Sequence, residues 1–347
     1  MMAALKSSLL LVVLTLAIVL LPVSVDSFCI PASSRPVSFA TSKLAAVAAG
    51  IQVCDDVYSP ETCLELHELA LAHADRCESS LVDRLLLSEE DRTPLEYALD
   101  YLMRELGDDS QYIEYWSRDE YLNMDAHADI DERYLENEGT IKCPDWSHVL
   151  YLKIEEKSPT CILDQRGAWI ASGATVELVT VPAVSGRLLR FPGNLMHAVP
   201  KPLNRWLSLY DEEDDGDDDD GIERSVLLFN TWSKQPPLEV TRDDVLGVSI
   251  SSGIDIEGAD LEESTPPQQQ DFDAPLLQCN PRDSWKDNSI QENDSDSSPS
   301  SIRINLMGKR HRRLHPNRNV WLSACGEALE SSLQQDSVVS KLKLEED

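Results

Sequence analysis

The period of hydrophobic and polar positions changes several times along this chain. Residues 7–27, SSLLLVVLTLAIVLLPVSVDS, form an almost unbroken apolar run behind Lys6. From Ser59 the period is helical: Leu66, Leu69, Ala70 and His73 share one face of a stretch that opens with Ser59 as cap and Pro60 as first helical residue. A second amphipathic stretch carries Leu95, Leu99, Leu102, Met103 and Leu106, with a Thr93–Glu96 capping box around Pro94 and a stop at Gly107. From about Gln111 the period shortens. QYIEYWS, HVLYLKI, TCILD, TVELVTVP, GRLLRFPG, RWLSLY and RSVLLFNTW, separated by turn residues, read as closely spaced strands. That density predicts an antiparallel barrel or jelly roll rather than a parallel α/β sheet. Gly253 to Ser301 is rich in Asp, Glu, Ser, Gln and Pro, the composition of a disordered linker, and IRINLMG, NVWLSAC and a helix over Glu327 to Leu333 follow it.

These patterns divide the 347 residues into one principal domain over 59–237, a low-complexity linker over 238–301 and a strand/helix extension over 302–347. The opening run predicts a signal peptide over 1–27, with Val25 and Ser27 at the −3 and −1 positions of a cleavage site before Phe28. An uncleaved membrane anchor is the competing reading, although Pro22 ends the run near the lower length limit for a spanning helix. Residues 28–54 are Ser- and Ala-rich, contain Arg35 and Lys43, and have no acidic residue, which is transit-peptide composition. Together the two segments resemble the two-part presequence of algae whose plastids came from a secondary endosymbiosis. That resemblance implies a plastid address with no membrane association after signal-peptide cleavage. The secretory pathway is the alternative destination, with this stretch as a disordered secreted N-terminus.

A formal net charge of −32 argues against nucleic acid as partner, because phosphates would be repelled. Over a quarter of that charge lies in Asp211 to Asp220, nine carboxylates and a glycine, read as a solvated loop. The cysteines show no CxxC pair and no zinc-finger spacing. They read mainly as reduced or buried thiols, with a disulfide among Cys54, Cys63 and Cys77 as the alternative in an oxidising lumen.

The chemistry concentrates in His127-Ala128-Asp129 and in His197, 197 − 127 = 70 residues later. In an extended chain residues i and i+2 point to one side, so His127 and Asp129 can face one metal while the third ligand comes from another strand. Two imidazoles and one carboxylate on one face of an octahedron leave three open positions, the arrangement that suits Fe(II) oxygenases. An HxD triplet alone is weak evidence, and its surroundings carry more. EYWSRDEYLNMDAHADIDE, HVLYLKIEEKSPTCILDQ, GRLLRFPGNLMHAVP and RSVLLFNTW, in this order from Tyr112 to Trp232, resemble the core strands of the prolyl-hydroxylase-like 2-oxoglutarate/Fe(II) dioxygenases. Gly186, Leu188, Phe191, Gly193, His197 and Val199 stand in that family's G-x-L-x-x-F-x-G-x-x-x-H-x-V stretch, whose histidine is the distal ligand.

The resemblance implies a double-stranded β-helix (jelly roll), mainly β with supporting helices. It implies His127, Asp129 and His197 as catalytic metal ligands, Fe(II) as metal, 2-oxoglutarate as cosubstrate and dioxygen as oxidant. It also implies a basic residue some ten positions past the distal histidine that binds the C5 carboxylate of 2-oxoglutarate. Here the sequence departs from the pattern, since Arg224 is 224 − 197 = 27 residues past His197. The acidic segment would be an insertion in the preceding hairpin, tolerable because closure entropy grows slowly with length. Arg224, opening a last core strand with a fork-shaped guanidinium, is favoured, and Arg205, with nearly the usual spacing, is the alternative. The carboxylate at Asp129, which related halogenases lack, favours hydroxylation of a protein side chain or small metabolite, or a dealkylation that follows from it.

Two other classes compete: a catalytically silent jelly-roll binding module, and a cupin-like metal enzyme without 2-oxoglutarate. His67 and His73 lack the i, i+4 pairing of a zinc protease and read as core or surface histidines. His148 alternates toward the strand interior near the site with a structural role. Tyr115, Trp116 and Trp232 are core residues that can also line the pocket, and Lys309 to Arg313 reads as a solvated basic turn.

Overall fold

The computed structural model describes residues 50–120, 123–155, 158–166, 175–200, 223–243, 274–289, 301–305, 321–335 and 338–346, all within the unit Ser42–Asp347. The presequence up to residue 49, Arg205 with the strand RWLSLY, the acidic segment 211–220, most of the linker and the basic turn 309–313 lie outside the described residues.

Both anticipated helices form as their caps dictate. Helix α1, Pro60–Ala74, starts where the Ser59 hydroxyl accepts from the Thr62 amide at 3.2 Å. Helix α2, Pro94–Glu105, has both bonds of its capping box, between Thr93 and Glu96, and ends at Gly107 with φ 64°. Such caps satisfy amides that the first turn leaves without partners.

The strands β1 (Gln52–Asp55), β2 (Ser80–Asp83), β3 (Tyr112–Glu120), β4 (Met124–His127), β5 (Trp146–Ile154), β6 (Thr160–Arg166), β7 (Thr175–Val181), β8 (Leu188–Pro192), β9 (Leu195–Val199), β10 (Glu223–Trp232) and β11 (Gln278–Cys279) form most of two sheets. Near the C-terminus β12 (Lys286–Asp287), β13 (Ser301–Asn305), β14 (Trp321–Cys325) and β15 (Ser340–Glu346) complete them. One sheet runs β11-β1-β8-β5-β10-β3-β2. The other runs β13-β14-β15-β7-β6-β9-β4, with β12 parallel to β15. Two further helices are α3 (Glu132–Glu138) and α4 (Gly326–Leu333).

Side-chain alternation sorts the core into three layers. Val149, Tyr151, Ile162, Val179, Leu189, Phe191 and Val226 fill the space between the sheets. On the other face of the first sheet, Leu150, Leu152, Leu227 and Phe229 meet Leu66 and Ala70 of α1 and Leu99, Leu102 and Met103 of α2. Outside the second sheet, Leu163, Val176, Leu178, Leu342 and Leu344 meet Leu329 and Leu333 of α4. Each fully buried leucine of this kind contributes about 1.5–3 kcal/mol.

Several sequence expectations are corrected here. Val53 and Cys54, assigned to the transit segment, are buried in β1, so the fold begins ahead of Ser59. Within the supposed linker, residues 274–289 carry β11 and β12 and bury Trp285, which an average over composition conceals. The C-terminal segment is no appendage, because β15 pairs along β7 from Ser340↔Thr180 to Glu345↔Thr175. Cys54 is disulfide-bonded to Cys279, directly opposite it in the β1–β11 register, whereas Cys63 and Cys77 are free.

Candidate metal centre

β4 and β9 lie side by side at the edge of the second sheet, and their register sets His127 directly against His197. β6 flanks β9 on its other side, with Ile162 opposite His197. Asp129 follows β4 by two residues. Ligand atoms of His127, Asp129 and His197 lie within 4.8 Å of one another. Asp129 Oδ1 is 4.0 Å from His127 Nε2 and 3.7 Å from His197 Nε2, and the two rings are 4.3 Å apart at their centroids.

The backbone orients both imidazoles. His127 Nδ1 is 2.7 Å from the Asp125 carbonyl and His197 Nδ1 is 3.2 Å from the Leu195 carbonyl. A carbonyl only accepts, so each ring carries a proton on Nδ1, which leaves Nε2, the nitrogen nearer Asp129, as the one available to a metal. At 3.7–4.0 Å neither ring hydrogen-bonds to that carboxylate. The other carboxylate oxygen, Oδ2, accepts from the Ser147 hydroxyl at 2.6 Å. Phe191 meets the His197 ring edge-on with centroids 5.0 Å apart.

The turn between β8 and β9 explains one glycine of the motif. A Cβ on Gly193 would come within 2.6 Å of the Pro144 carbonyl oxygen and would also strike the Pro144 ring. Gly186, at φ +79°, holds a conformation that a side chain would strain, and its Cβ would sit 3.1 Å from the Tyr58 carbonyl oxygen.

Arg224, the second residue of β10, lies on the inter-sheet face against Tyr151 and is only 5% exposed. Its Nη2 donates to Thr160 Oγ1 at 3.3 Å, and Thr160 Oγ1 is 2.7 Å from the Tyr151 hydroxyl. The guanidinium lies 5.5 Å from the Tyr151 ring centroid. Its Nε is buried without a hydrogen-bond partner, and no carboxylate pairs with it among the described residues. A buried guanidinium with spare donors fits an incoming carboxylate. Thr160 is two residues before Ile162 on β6, so it shares a strand face with the residue opposite His197.

Glu114, on β3, is a second carboxyl near this region. Burial pushes it up to about 7, helped by the Asp129 and Asp131 charges and opposed by hydrogen bonds from Trp232 and Asn230. The Trp232 bond, from Nε1 to Oε2, is 3.2 Å.

The sequence did not single out Ser147, Tyr151, Thr160 or Glu114. Ser147 was within reach, because it is in phase with Val149 and Tyr151 on β5. His148 consequently points the other way: its ring stacks on Phe229 at 4.4 Å and its Nδ1 lies 3.1 Å from the Phe229 carbonyl. Burial drives His148 down to about 3, with the Arg190 charge adding to the effect. Tyr115 also belongs to the helix-facing side, 4.7 Å from the His73 ring, and so cannot line the inter-sheet space. Trp232 faces that space through its bond to Glu114.

No protein-family model and no curated protein sequence matches the chain. Among solved structures, a Pseudomonas putida prolyl-4-hydroxylase is 15% identical, with 55% of this chain and 95% of that one covered and a TM-score of 0.33. HygX from Streptomyces hygroscopicus with iron bound is 13% identical, with 56% and 88% covered and a TM-score of 0.31. The same protein with nickel and 2-oxoglutarate bound is 12% identical, with the same coverage and a TM-score of 0.32. TM-scores this low carry no argument about this chain.

Proposed function

We propose that the chain is an Fe(II)/2-oxoglutarate-dependent dioxygenase, built on a double-stranded β-helix, that hydroxylates a C–H bond of a protein side chain or small metabolite. The observation that carries this reading is the convergence of two Nε2 atoms and one carboxylate oxygen, with both Nδ1 atoms against backbone carbonyls. His127, Asp129 and His197 would hold the iron, and Ser147 would fix the Asp129 carboxylate so that Oδ1 faces the metal. Arg224 would bind the C5 carboxylate of 2-oxoglutarate, and Thr160 and Tyr151 would position the guanidinium. When bound, Fe(II) with 2-oxoglutarate and dioxygen supplies oxidative decarboxylation to succinate and carbon dioxide, coupled to hydroxylation. The inter-sheet apolar residues, Phe191 among them, would keep bulk water from the reacting atoms.

Anaerobically prepared protein should bind close to one Fe(II) and release succinate from 2-oxoglutarate in air, and His197→Ala should do neither. Iron binding without 2-oxoglutarate-dependent succinate release, across a screen of peptides and metabolites, would favour the cupin-like alternative. Native iron content in His197→Ala would remove the proposal.

A further inference from the structure

A second group of metal-ligating side chains lies on the opposite face of the first sheet. His73 belongs to the last turn of α1, Cys77 follows it by four residues, and Asp243 comes from the chain beyond β10. One ligand atom from each lies within 4.8 Å of the others. His73 Nε2 is 3.0 Å from Cys77 Sγ. His73 is 2% exposed, with its ring against Tyr115 and its Nδ1 buried without a partner.

We propose that His73, Cys77 and Asp243 form a second metal site, for a Zn(II)-class ion held by one imidazole, one thiolate and one carboxylate, with a fourth position open to water. The donor set suits zinc, which takes nitrogen, sulfur and oxygen ligands in tetrahedral sites. Thiolate and carboxylate together neutralise the dication, so the bound site adds no net charge to the partly buried position. Binding transfers the thiol proton to solvent as the sulfur–metal bond forms, with no change of oxidation state.

A nucleophilic cysteine triad is the obvious competitor, and two features disfavour it. In a relay the carboxylate holds the distal nitrogen of the imidazole. Here no carboxylate holds that nitrogen, since among the described residues His73 Nδ1 has no hydrogen-bond partner. Burial also holds His73 below its ordinary value and pushes the Cys77 thiol up, with Asp243 reinforcing the latter, which opposes the imidazolium–thiolate pair of a reactive cysteine. Neutral imidazole is the form that binds metal.

The site would act as a staple. Asp243 already docks through its amide to Ser80 Oγ at 2.7 Å and through Oδ2 to Arg76 Nε at 3.1 Å. Its neighbour Arg242 makes two bonds to Glu96 of α2, at 2.8 and 2.7 Å. A metal would therefore tie the chain leaving β10 to the helical layer. Arg76 does not compete strongly for Asp243, because its side chain is 41% exposed and can turn to water.

Co(II) tests this directly, since a thiolate ligand gives a sulfur-to-cobalt charge-transfer band that a two-histidine, one-carboxylate centre cannot give. The full chain carrying His127→Ala and His197→Ala, which removes the other candidate centre, should develop that band and saturate at one equivalent, and Zn(II) should bleach it. Cys77→Ser should abolish the band, and the isosteric Asp243→Asn should weaken Co(II) binding by more than about tenfold. Should Cys77→Ser fail to fold by circular dichroism, Asp243→Asn decides alone. No band at one equivalent, a band that survives Cys77→Ser, or unchanged affinity in Asp243→Asn would each overturn the proposal.

Discussion

Arg224→Met separates the proposed role of this arginine from a structural one, because the two roles predict opposite signs. Arg224 is 5% exposed, and among the described residues its guanidinium makes one side-chain bond, at 3.3 Å, and leaves Nε without a partner. Methionine keeps much of the volume and removes the charge. In protein without 2-oxoglutarate, a buried cation with no paired carboxylate among the described residues is a burden, so its removal should leave thermal stability unchanged or raise it. Thr160 keeps its bond to Tyr151 in that variant, which limits the loss to one hydrogen bond of about 1 kcal/mol. In the presence of 2-oxoglutarate the sign reverses. Hydrogen bonds to a charged group contribute about 1.5–3 kcal/mol, so the dissociation constant should rise by roughly 10- to 150-fold. Anaerobic titration of 2-oxoglutarate into Fe(II)-loaded protein, followed by metal-to-ligand charge-transfer absorbance, reads the binding, and differential scanning calorimetry of the apoprotein reads the stability. An unchanged dissociation constant, with the apoprotein destabilised by about 3–5 kcal/mol as for a broken buried ion pair, would refute the reasoning.

Ser147→Ala should lower Fe(II) affinity by about 10- to 100-fold without unfolding the chain, since Asp129 loses the hydroxyl that holds its Oδ2; equilibrium dialysis against Fe(II) checks this. Glu114, raised from 4.5 to about 7, keeps in the metal-free folded protein a proton that the unfolded chain releases. Its contribution to stability is therefore present below pH 4.5 and lost as pH rises through 7. At about 1.4 kcal/mol per tenfold change in proton affinity, the apoprotein should lose up to about 3 kcal/mol between pH 4 and 8 relative to Glu114→Gln, measurable by urea titrations across that range. Asp100 is 2% exposed and accepts from Arg84 at 2.6 Å, from Arg92 at 2.5 Å and from Arg104, so Asp100→Asn should destabilise by about 3–5 kcal/mol; an unmoved urea midpoint would show that water already compensates these arginines.

Local sequence determined those parts of the protein whose causes are local. Caps at Ser59 and Thr93 start both long helices because a hydroxyl three residues away reaches a free amide, whatever the rest of the chain does. Strand periodicity over β3, β5, β6, β7, β8 and β10 follows from which face each residue must bury. The alternation in SKLKLEE, with Leu342 and Leu344 buried, was equally available at β15 and passed unused. Gly186 and Gly193 carry their reasons in backbone geometry that only a short list of residues tolerates. His127, Asp129 and His197 could be singled out by residue type and by likeness to a family motif.

Tertiary structure alone decided which strands pair. Nothing within residues 124–127 or 195–199 specifies that β4 and β9 lie together in the register His127↔His197, because that pairing is selected by the burial of both sheets at once. The same holds for Ser147 and His148, adjacent in sequence and sent to opposite faces once β5 is fixed between β8 and β10. Cys54 meets Cys279 across 225 residues, and Asp243 meets His73 and Cys77 across more than a helix and a sheet, through contacts that no periodicity records. Long-range pairings of this kind depend on the free energy of the whole packed core, so a single segment determines its own period and leaves its partners to the fold.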